Sequence, residues 1–246
     1  MNKINKVAFI TGANKGIGFE TAKELSAKGI HVVLGSRSEA NGQKAIKELK
    51  ALGFEATLLV FDVTKTADYK TAYNFIQEKF GKLDILVNNA GVILETGFAG
   101  NNTSTVENKI LRDTFSANFF GAVELTQVLL PLIKKSEAGR IVNLSSILGS
   151  LGLHSDPTSP IYESKAFAYN ASKTALNAFT VHLAHELKNT NIKVNSAHPG
   201  WVKTDMGGEG AQMEVSDGAK TSVQLSLLEA NGPTGGYFHM GESLPW

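Results

Sequence analysis

Short apolar runs alternate along this chain with longer stretches in which apolar and polar residues follow a helical period. Most of the apolar runs are uninterrupted, as expected for strands of a parallel sheet that helices cover on both faces. The runs predict strands at residues 6–11, 31–36, 56–62, 83–89, 140–146, 192–199 and 236–240. The stretches between them predict helices at residues 16–28, 38–52, 66–80, 105–135, 166–188 and 214–230, of which 105–135 is either one helix or two.

Regular alternation of strands and helices indicates βαβ units joined by right-handed crossovers. The predicted fold is therefore a single α/β domain with a doubly wound parallel sheet of about seven strands and helices on both faces. Two long loops, 91–104 and 147–160, follow the carboxyl ends of predicted strands. Open sheets of this kind bind ligands at that edge, so we expect both loops to be functional.

The composition excludes several classes of function. Lys and Arg number 24 against 23 Asp and Glu, and their scatter predicts binding to neither nucleic acid nor a membrane surface. The absence of cysteine excludes disulfides, thiolate catalysis and cysteine-ligated metal. No apolar stretch reaches the roughly 18 residues of a membrane span, and the polar start of the chain does not resemble a signal peptide. We therefore expect a soluble, cytoplasmic protein whose partners are small molecules.

A metal site is not predicted either. His182 and His185 are three residues apart beside Glu186, whereas a zinc-binding helix places its two histidines four residues apart. An exposed helix face is the simpler interpretation of this segment.

The segment TGANKGIG follows the first predicted strand and opens the first predicted helix. Gly12 permits a tight turn, and Gly16 and Gly18 would let backbone N–H groups at the helix N-terminus approach a pyrophosphate. The spacing Gly-x-x-x-Gly-x-Gly differs from the usual dinucleotide fingerprint, so an ordinary strand-to-helix turn stays an alternative for this segment alone.

The segment SPIYESKAFAYNASK contains two tyrosines, each followed within one helical turn by a lysine: Tyr162 with Lys165 and Tyr169 with Lys173. Tyr162 follows two prolines and stands beside Glu163, whose negative charge would raise the tyrosine pKa. Tyr169 lies among small residues that allow close packing against a cofactor. The residues favour Tyr169 with Lys173 as the chemical pair, although an isolated pair of this kind is more often structural.

Seven short motifs occur in a fixed order: TGANKGIG (11–18), FDV (61–63), NNAG (88–91), SANFFG (116–121), VNLSS (142–146), YNASK (169–173) and HPGWVKTDM (198–206). In this order the chain resembles the short-chain dehydrogenase/reductase family over nearly its whole length. The last motif and the long stretch before YNASK resemble the carbonyl-reductase branch. The resemblance implies one Rossmann-type NAD(P)-binding domain over residues 1–246, with substrate loops at 147–162 and 200–214.

The resemblance also implies a catalytic set of Asn118, Ser146, Tyr169 and Lys173. In that family the tyrosine protonates a carbonyl oxygen as hydride arrives, and the lysine, helped by the charge of an oxidised nicotinamide, lowers the tyrosine pKa from about 10 toward about 7. The serine orients the carbonyl and shares the developing charge. The asparagine holds a backbone kink and a water that connects the lysine to solvent.

Cofactor choice depends on the end of the second predicted strand, where NAD enzymes of this fold carry an acidic residue. Here Ser36 and Arg37 occupy that place, and Lys15 lies in the glycine loop, so we expect NADP(H). The other cofactor contacts implied by the resemblance are Gly12, Asn14, Gly16, Ile17, Gly18, Asp62, Val63, Asn88, Asn89, Ala90, Gly91, Tyr169, Lys173, Pro199, Gly200, Val202 and Thr204.

The expected function is NADPH-dependent, reversible reduction of a ketone or aldehyde to an alcohol, with Leu148, Trp201 and Met206 at the substrate. The alternative is a non-catalytic NADP(H)-binding redox sensor, which would not need all four catalytic residues. Sugar-nucleotide epimerases share the tyrosine–lysine pair but are usually longer. Apolar positions left on helices 105–135 and 166–188 predict a homodimer or tetramer.

Overall fold

The computed structural model of the protein describes residues 6–98 and 100–246. The polar start of the chain, residues 1–5, and Ala99 in the predicted loop 91–104 lie outside the described residues. The strands are β1 (Val7–Ile10), β2 (His31–Ser36), β3 (Ala56–Val60), β4 (Ile85–Asn88), β5 (Arg140–Leu144), β6 (Lys193–Ala197), β7 (Tyr237–His239) and β8 (Glu242–Ser243). The helices are α1 (Gly16–Ala27), α2 (Glu39–Ala51), α3 (Thr66–Phe80), α4 (Asn108–Phe115), α5 (Gly121–Ile133), α6 (Leu151–Ser155), α7 (Phe167–Glu186) and α8 (Val215–Ser226).

All eight strands form one sheet in the order β3-β2-β1-β4-β5-β6-β7-β8. The first seven are parallel to their neighbours, and β8 pairs antiparallel with β7. The doubly wound fold is therefore confirmed, with one strand more than predicted because β8 has only two residues. The strand order reverses between β1 and β4, and the carboxyl ends of these strands form the crevice where such sheets bind ligands.

Helices cover both faces of the sheet. One core cluster joins the sheet to α1, α2 and α8, and the other joins it to α3, α5 and α7. Adjacent residues of β1 serve different clusters: Phe9 packs edge-on against Phe61 with ring centres 5.4 Å apart, while Ile10 belongs to the opposite face. Burial on both faces explains why the predicted strands are apolar throughout.

A row of buried polar side chains crosses the three central strands β4, β5 and β6. Asn88 lies opposite Asn143, and Asn143 lies opposite Ser196. The Asn88 amide donates to Asn143 Oδ1 at 2.8 Å, and the Asn143 amide donates to Thr180 Oγ1 on α7 at 2.8 Å. The hydroxyls of Thr180 and Ser196 are 2.8 Å apart, so one chain of hydrogen bonds ties the three strands to a helix.

The predicted helix 105–135 is one continuous helical segment made of α4, a π-helical turn at Ser116–Phe120 and α5. By length and composition alone, Asn108–Ile133 could cross a membrane, because an 18-residue window in it has a mean hydropathy of 1.3. By this test of helix length and hydropathy, the expectation that no apolar stretch is long enough to span a membrane is wrong. Half of this window is buried within the fold, and Leu125 and Leu129 belong to the core. The core helix of a globular domain passes the same test of length and hydropathy.

The segment predicted as a loop at 147–160 is partly helical, which corrects the prediction. It contains a 3₁₀ turn at Ile147–Gly149 and the short helix α6. Ser150 caps α6 by accepting from the Leu153 N–H, and the Trp246 carbonyl accepts from Ser150 Oγ at 3.1 Å. The remaining predicted elements are confirmed with ends that differ by a few residues.

Candidate active site

Three elements bring the four predicted catalytic side chains into one buried cluster. Ser146 follows β5, Tyr169 and Lys173 lie one turn apart on α7, and Asn118 lies in the π-helical turn. Ser146 lies close enough to the Tyr169 phenol to lower its pKa, and Lys173 Nζ is 5.6 Å from the centre of the Tyr169 ring. The fold therefore places a hydroxyl, a phenol and an ammonium group together.

Asn118 connects this cluster to the loop after β4. Its side chain accepts from the Val92 N–H at 2.7 Å and donates to the Val92 carbonyl at 2.8 Å and to Ser172 Oγ at 3.0 Å. The helix widens into the π-helical turn at Asn118, the residue to which the resemblance assigns a backbone kink. A β-carbon on Gly91 would lie 3.2 Å from Asn118 Oδ1 and 3.4 Å from Lys173 Nζ, so glycine lets the loop approach both.

Burial controls the ionisation of the tyrosine and the lysine. It raises the pKa of Tyr169 to about 12, and the hydrogen bond from Ser146 only partly offsets it. Burial also lowers the pKa of Lys173 to about 8, and Lys173 Nζ donates to the Leu144 carbonyl at 2.8 Å. Burial of the phenol therefore dominates in the protein alone, whereas the lowered tyrosine pKa that the resemblance implies also requires the positive charge of an oxidised nicotinamide.

The second tyrosine–lysine pair has structural contacts. Lys165 Nζ lies 4.7 Å from the centre of the Tyr162 ring and donates to the His154 carbonyl at 3.0 Å. The His154 ring is in turn 3.0 Å from the Leu148 carbonyl. These contacts join Lys165 to His154 and His154 to Leu148, within the stretch between β5 and α7. They leave Tyr162 outside the catalytic cluster.

Apolar side chains surround Tyr169. The buried members of this group are Leu148, Ile161 and Ala166, with Ile93, Phe98, Ile147 and Leu153 packed against them. Of the predicted substrate residues, Leu148 belongs to the group, whereas Trp201 and Met206 are exposed on the 200–214 segment. The sequence interpretation missed Ile93, Phe98 and Ile161, whose only signal is that they are apolar residues within loops.

The glycine loop has the backbone conformation that an anion site needs. Gly12 and Gly16 have positive φ angles of 63° and 57°, and α1 begins without a side-chain cap. A β-carbon on Gly18 would lie 2.4 Å from Asn89 Nδ2, and that amide donates to the Gly12 carbonyl at 3.1 Å. Asn89 therefore holds the loop from β4, while the first N–H groups of α1 suit a pyrophosphate.

A cavity of about 480 Å³ lies between the glycine loop and α2. It is lined by Asn14, Lys15, Gly16, Phe19, Asn41, Lys44, Ala45 and Glu48. Lys15 also forms an exposed ion pair with Asp205 of the 200–214 segment.

Ser36 is buried and Arg37 is exposed at the end of β2. Lys44 was missed because one lysine among the many charged positions of α2 gives no signal in the sequence.

The other predicted cofactor residues lie at the same edge of the sheet. Asp62 and Val63 follow β3, and hydrogen bonds from Thr64 lower the pKa of Asp62 although burial alone would raise it. The Ala90 N–H donates to Thr11 Oγ1 at 3.0 Å, which fixes the turn after β4. The residues that follow β6 at this edge are Pro199, Gly200, Val202 and Thr204. A β-carbon on Gly16 would lie 3.4 Å from the Thr204 side chain, so the two loops are adjacent.

His198 joins two of these loops. Its Nδ1 accepts from the Ile147 N–H at 3.1 Å and from the Gly200 N–H at 3.4 Å. Burial and the neighbouring His239 lower the pKa of His198 to about 3, so the imidazole is neutral in the folded protein.

We expect the fold to lose stability as the pH falls below about 6.5, because the unfolded chain then binds a proton that folded His198 does not. His198 should contribute a loss of about 2 kcal/mol in the free energy of unfolding between pH 7 and pH 5. Urea unfolding at pH 7 and at pH 5 measures this change in the free energy of unfolding. His198→Asn should remove this contribution and His182→Asn, on the exposed face of α7, should not. Equal pH dependence in the wild type and His198→Asn would contradict the assignment.

The chain matches a family described as short chain dehydrogenase over residues 6–215. It is 32% identical to (+)-neomenthol dehydrogenase of Capsicum annuum, with 96% of each chain covered. It is 31% identical to carbonyl reductase (NADPH) 1 of Mus musculus, with 100% of each chain covered. The solved structure of NADPH-bound carbonyl reductase from chicken fatty liver matches with a TM-score of 0.84 at 25% identity, covering 99% of this chain and 100% of that one. The resemblance inferred from the motifs is confirmed.

Proposed function

This chain belongs to the short-chain dehydrogenase family, and on that premise we propose that it is an NADPH-dependent oxidoreductase that reduces a ketone or aldehyde to an alcohol, reversibly. The observation that carries this proposal is the buried cluster of Ser146, Tyr169 and Lys173 at the sheet edge that also carries the glycine loop. A non-catalytic sensor would have no use for this cluster.

The residues present fit the dinucleotide. The uncapped N-terminus of α1 suits its pyrophosphate, and Lys15, Arg37 and Lys44 provide positive charge for a 2′-phosphate near the cavity beside α2. When bound, NADPH supplies the hydride. NADPH-binding relatives support the choice of cofactor.

The protein's own groups handle the proton. The Tyr169 phenol carries its proton at neutral pH and is the group that can donate it to a carbonyl oxygen that gains charge. The Ser146 hydroxyl is placed to donate a second hydrogen bond to that oxygen. The ammonium group of Lys173 stabilises the phenolate that remains, and Asn118 positions the loop beside Lys173.

The apolar group around Tyr169 defines the substrate class. Leu148, Ile161 and Phe98 contribute hydrocarbon surface beside the phenol. We propose a carbonyl compound flanked by hydrocarbon, bordered by the segments 147–162 and 200–214. A charged 2-oxo acid would lose part of its hydration against these hydrocarbon side chains.

The test is NADPH oxidation by the purified protein with two sets of carbonyl compounds. We expect turnover with uncharged cyclic ketones and aromatic aldehydes and little with 2-oxo acids of similar size. NADPH binding observed by fluorescence, without turnover of any compound in either set, would favour the sensor instead.

We also predict that the protein is a homodimer or a dimer of dimers. A groove of about 280 Å³ between α5 and α7 is lined by Leu130 and Phe179, among others. Val181 on α7 and Phe120 in the π-helical turn before α5 are exposed. Pairing of these helices between subunits would cover them. Leu125 on α5 is buried in the core and cannot contribute, whereas Leu183 on α7 is mostly buried but lines the groove.

Light scattering at micromolar concentration should give two or four times the chain mass of 26.3 kDa. Phe179→Asp should reduce that mass, while Leu52→Asp, at an exposed apolar position beyond α2, should not. A 26.3 kDa particle for the wild type would contradict the prediction.

A further inference from the structure

The helix that carries Tyr169 begins without a cap of its own. Its N-cap residue is Ala166, which has no side-chain acceptor, and its first turn contains no acidic residue. The first N–H groups of any helix lack partners within the helix and need acceptors from elsewhere. Tyr169 is the third residue of α7, so it lies within this uncapped turn.

Glu95 supplies the missing acceptors from the loop after β4. Its Oε1 accepts from the Ala168 N–H at 3.1 Å, and its Oε2 accepts from the Tyr169 N–H at 2.9 Å. The two partners are 73 and 74 residues away along the chain. A carboxylate at a helix N-terminus is favoured both by its hydrogen bonds and by the helix dipole.

The same loop also contacts the tyrosine ring. Phe98 packs against it in a T-shaped arrangement, with ring centres 6.2 Å apart and planes at 74°. Two contacts from one short segment therefore restrain the backbone and the ring of Tyr169 together. Both hydrogen bonds of Glu95 are to backbone N–H groups of α7, so its contact is with the backbone.

We propose that Glu95 is a positioning residue for Tyr169, an inference that rests on the proposed reductase activity. By holding the first turn of α7, it keeps the phenol beside Ser146 and directed at the carbonyl oxygen. Small displacements of a reacting group slow a chemical step strongly. The loop that carries Glu95 starts at Gly91, next to the proposed cofactor site. The same loop therefore also determines the position of the general acid, the Tyr169 phenol.

The experiment compares Glu95→Ala and Glu95→Gln with the wild type, using NADPH and the best ketone from the substrate screen. We expect Glu95→Ala to lower kcat about tenfold, while the Kd for NADPH changes less than about twofold. The isotope effect with NADPD should rise, because hydride and proton transfer become slower than release of product. Glu95→Gln retains one acceptor oxygen and should recover part of kcat.

Asp217→Ala is the matched control, because Asp217 is the acidic residue in the first turn of α8 and contacts Lys220 on the surface. It should leave kcat unchanged. Hydrogen exchange of the peptide covering residues 166–172 should become faster in Glu95→Ala and stay unchanged in Asp217→Ala. All proteins are assayed well below their melting temperatures, so that unfolding does not contribute to the rates.

Faster exchange with unchanged kcat would show that Glu95 only stabilises the helix and would overturn the proposal. Unchanged exchange would show that the contact is not formed and would overturn it as well. A wild type that binds NADPH but reduces no compound would instead overturn the proposed function, while the exchange experiment would still report on the contact.

Discussion

Replacing Tyr169 by phenylalanine is expected to lower kcat at least about 100-fold, which is the usual loss on removing a general acid. The substitution removes one oxygen and leaves the ring that packs against Phe98. Affinity for NADPH should change little, because the glycine loop and the cavity beside α2 are unaffected. Steady-state rates and NADPH titrations of the variant measure both quantities.

Tyr162→Phe is the matched control within the same segment. Its ring would still lie under Lys165, so the structural contact of the second pair is retained and kcat should stay within about twofold. Comparable losses in the two variants, or a loss in Tyr162→Phe alone, would show that the wrong tyrosine has been assigned.

Replacing Arg37 by aspartate is expected to shift the ratio of kcat/KM for NADPH over NADH by about two orders of magnitude toward NADH. A hydrogen bond to a charged group contributes about 1.5–3 kcal/mol, so losing the guanidinium weakens binding of the 2′-phosphate about tenfold or more. The new carboxylate repels the phosphate and accepts from the ribose 2′-hydroxyl of NADH.

Arg112→Asp makes the same exchange on α4, where the arginine is exposed and distant in sequence from the glycine loop. It should leave the cofactor ratio unchanged. An unchanged ratio in Arg37→Asp would mean that Arg37 does not contact the phosphate, and Lys15 and Lys44 would then be the cations to replace.

The sequence predicted the parts of the candidate site that are local in the chain. The glycine loop joins a strand directly to a helix, and Tyr169 and Lys173 share one helical turn, so short motifs identify both. The doubly wound sheet was predictable because burial on both faces leaves uninterrupted apolar runs. Such features depend on neighbouring residues and on secondary-structure period alone.

Contacts between distant segments could not be predicted in the same way. Glu95 reaches the start of α7 across 74 residues, and nothing about a glutamate in a loop indicates that it caps a helix elsewhere. The burial of Tyr169, which raises its pKa to about 12 in the protein alone, also depends on distant segments and could not be predicted from the motif. Strand β8 was missed because two residues give no period.

The polar row formed by Asn88, Asn143 and Ser196 has a consequence for how the chain folds. Strands that are apolar throughout tolerate a shift of two residues, since the same kind of side chain then meets each face. Such a shift would separate the two asparagines and bury amides without partners, which costs about 1–3 kcal/mol for each group. The row therefore favours the native register of β4, β5 and β6 over alignments shifted by two residues while the sheet assembles.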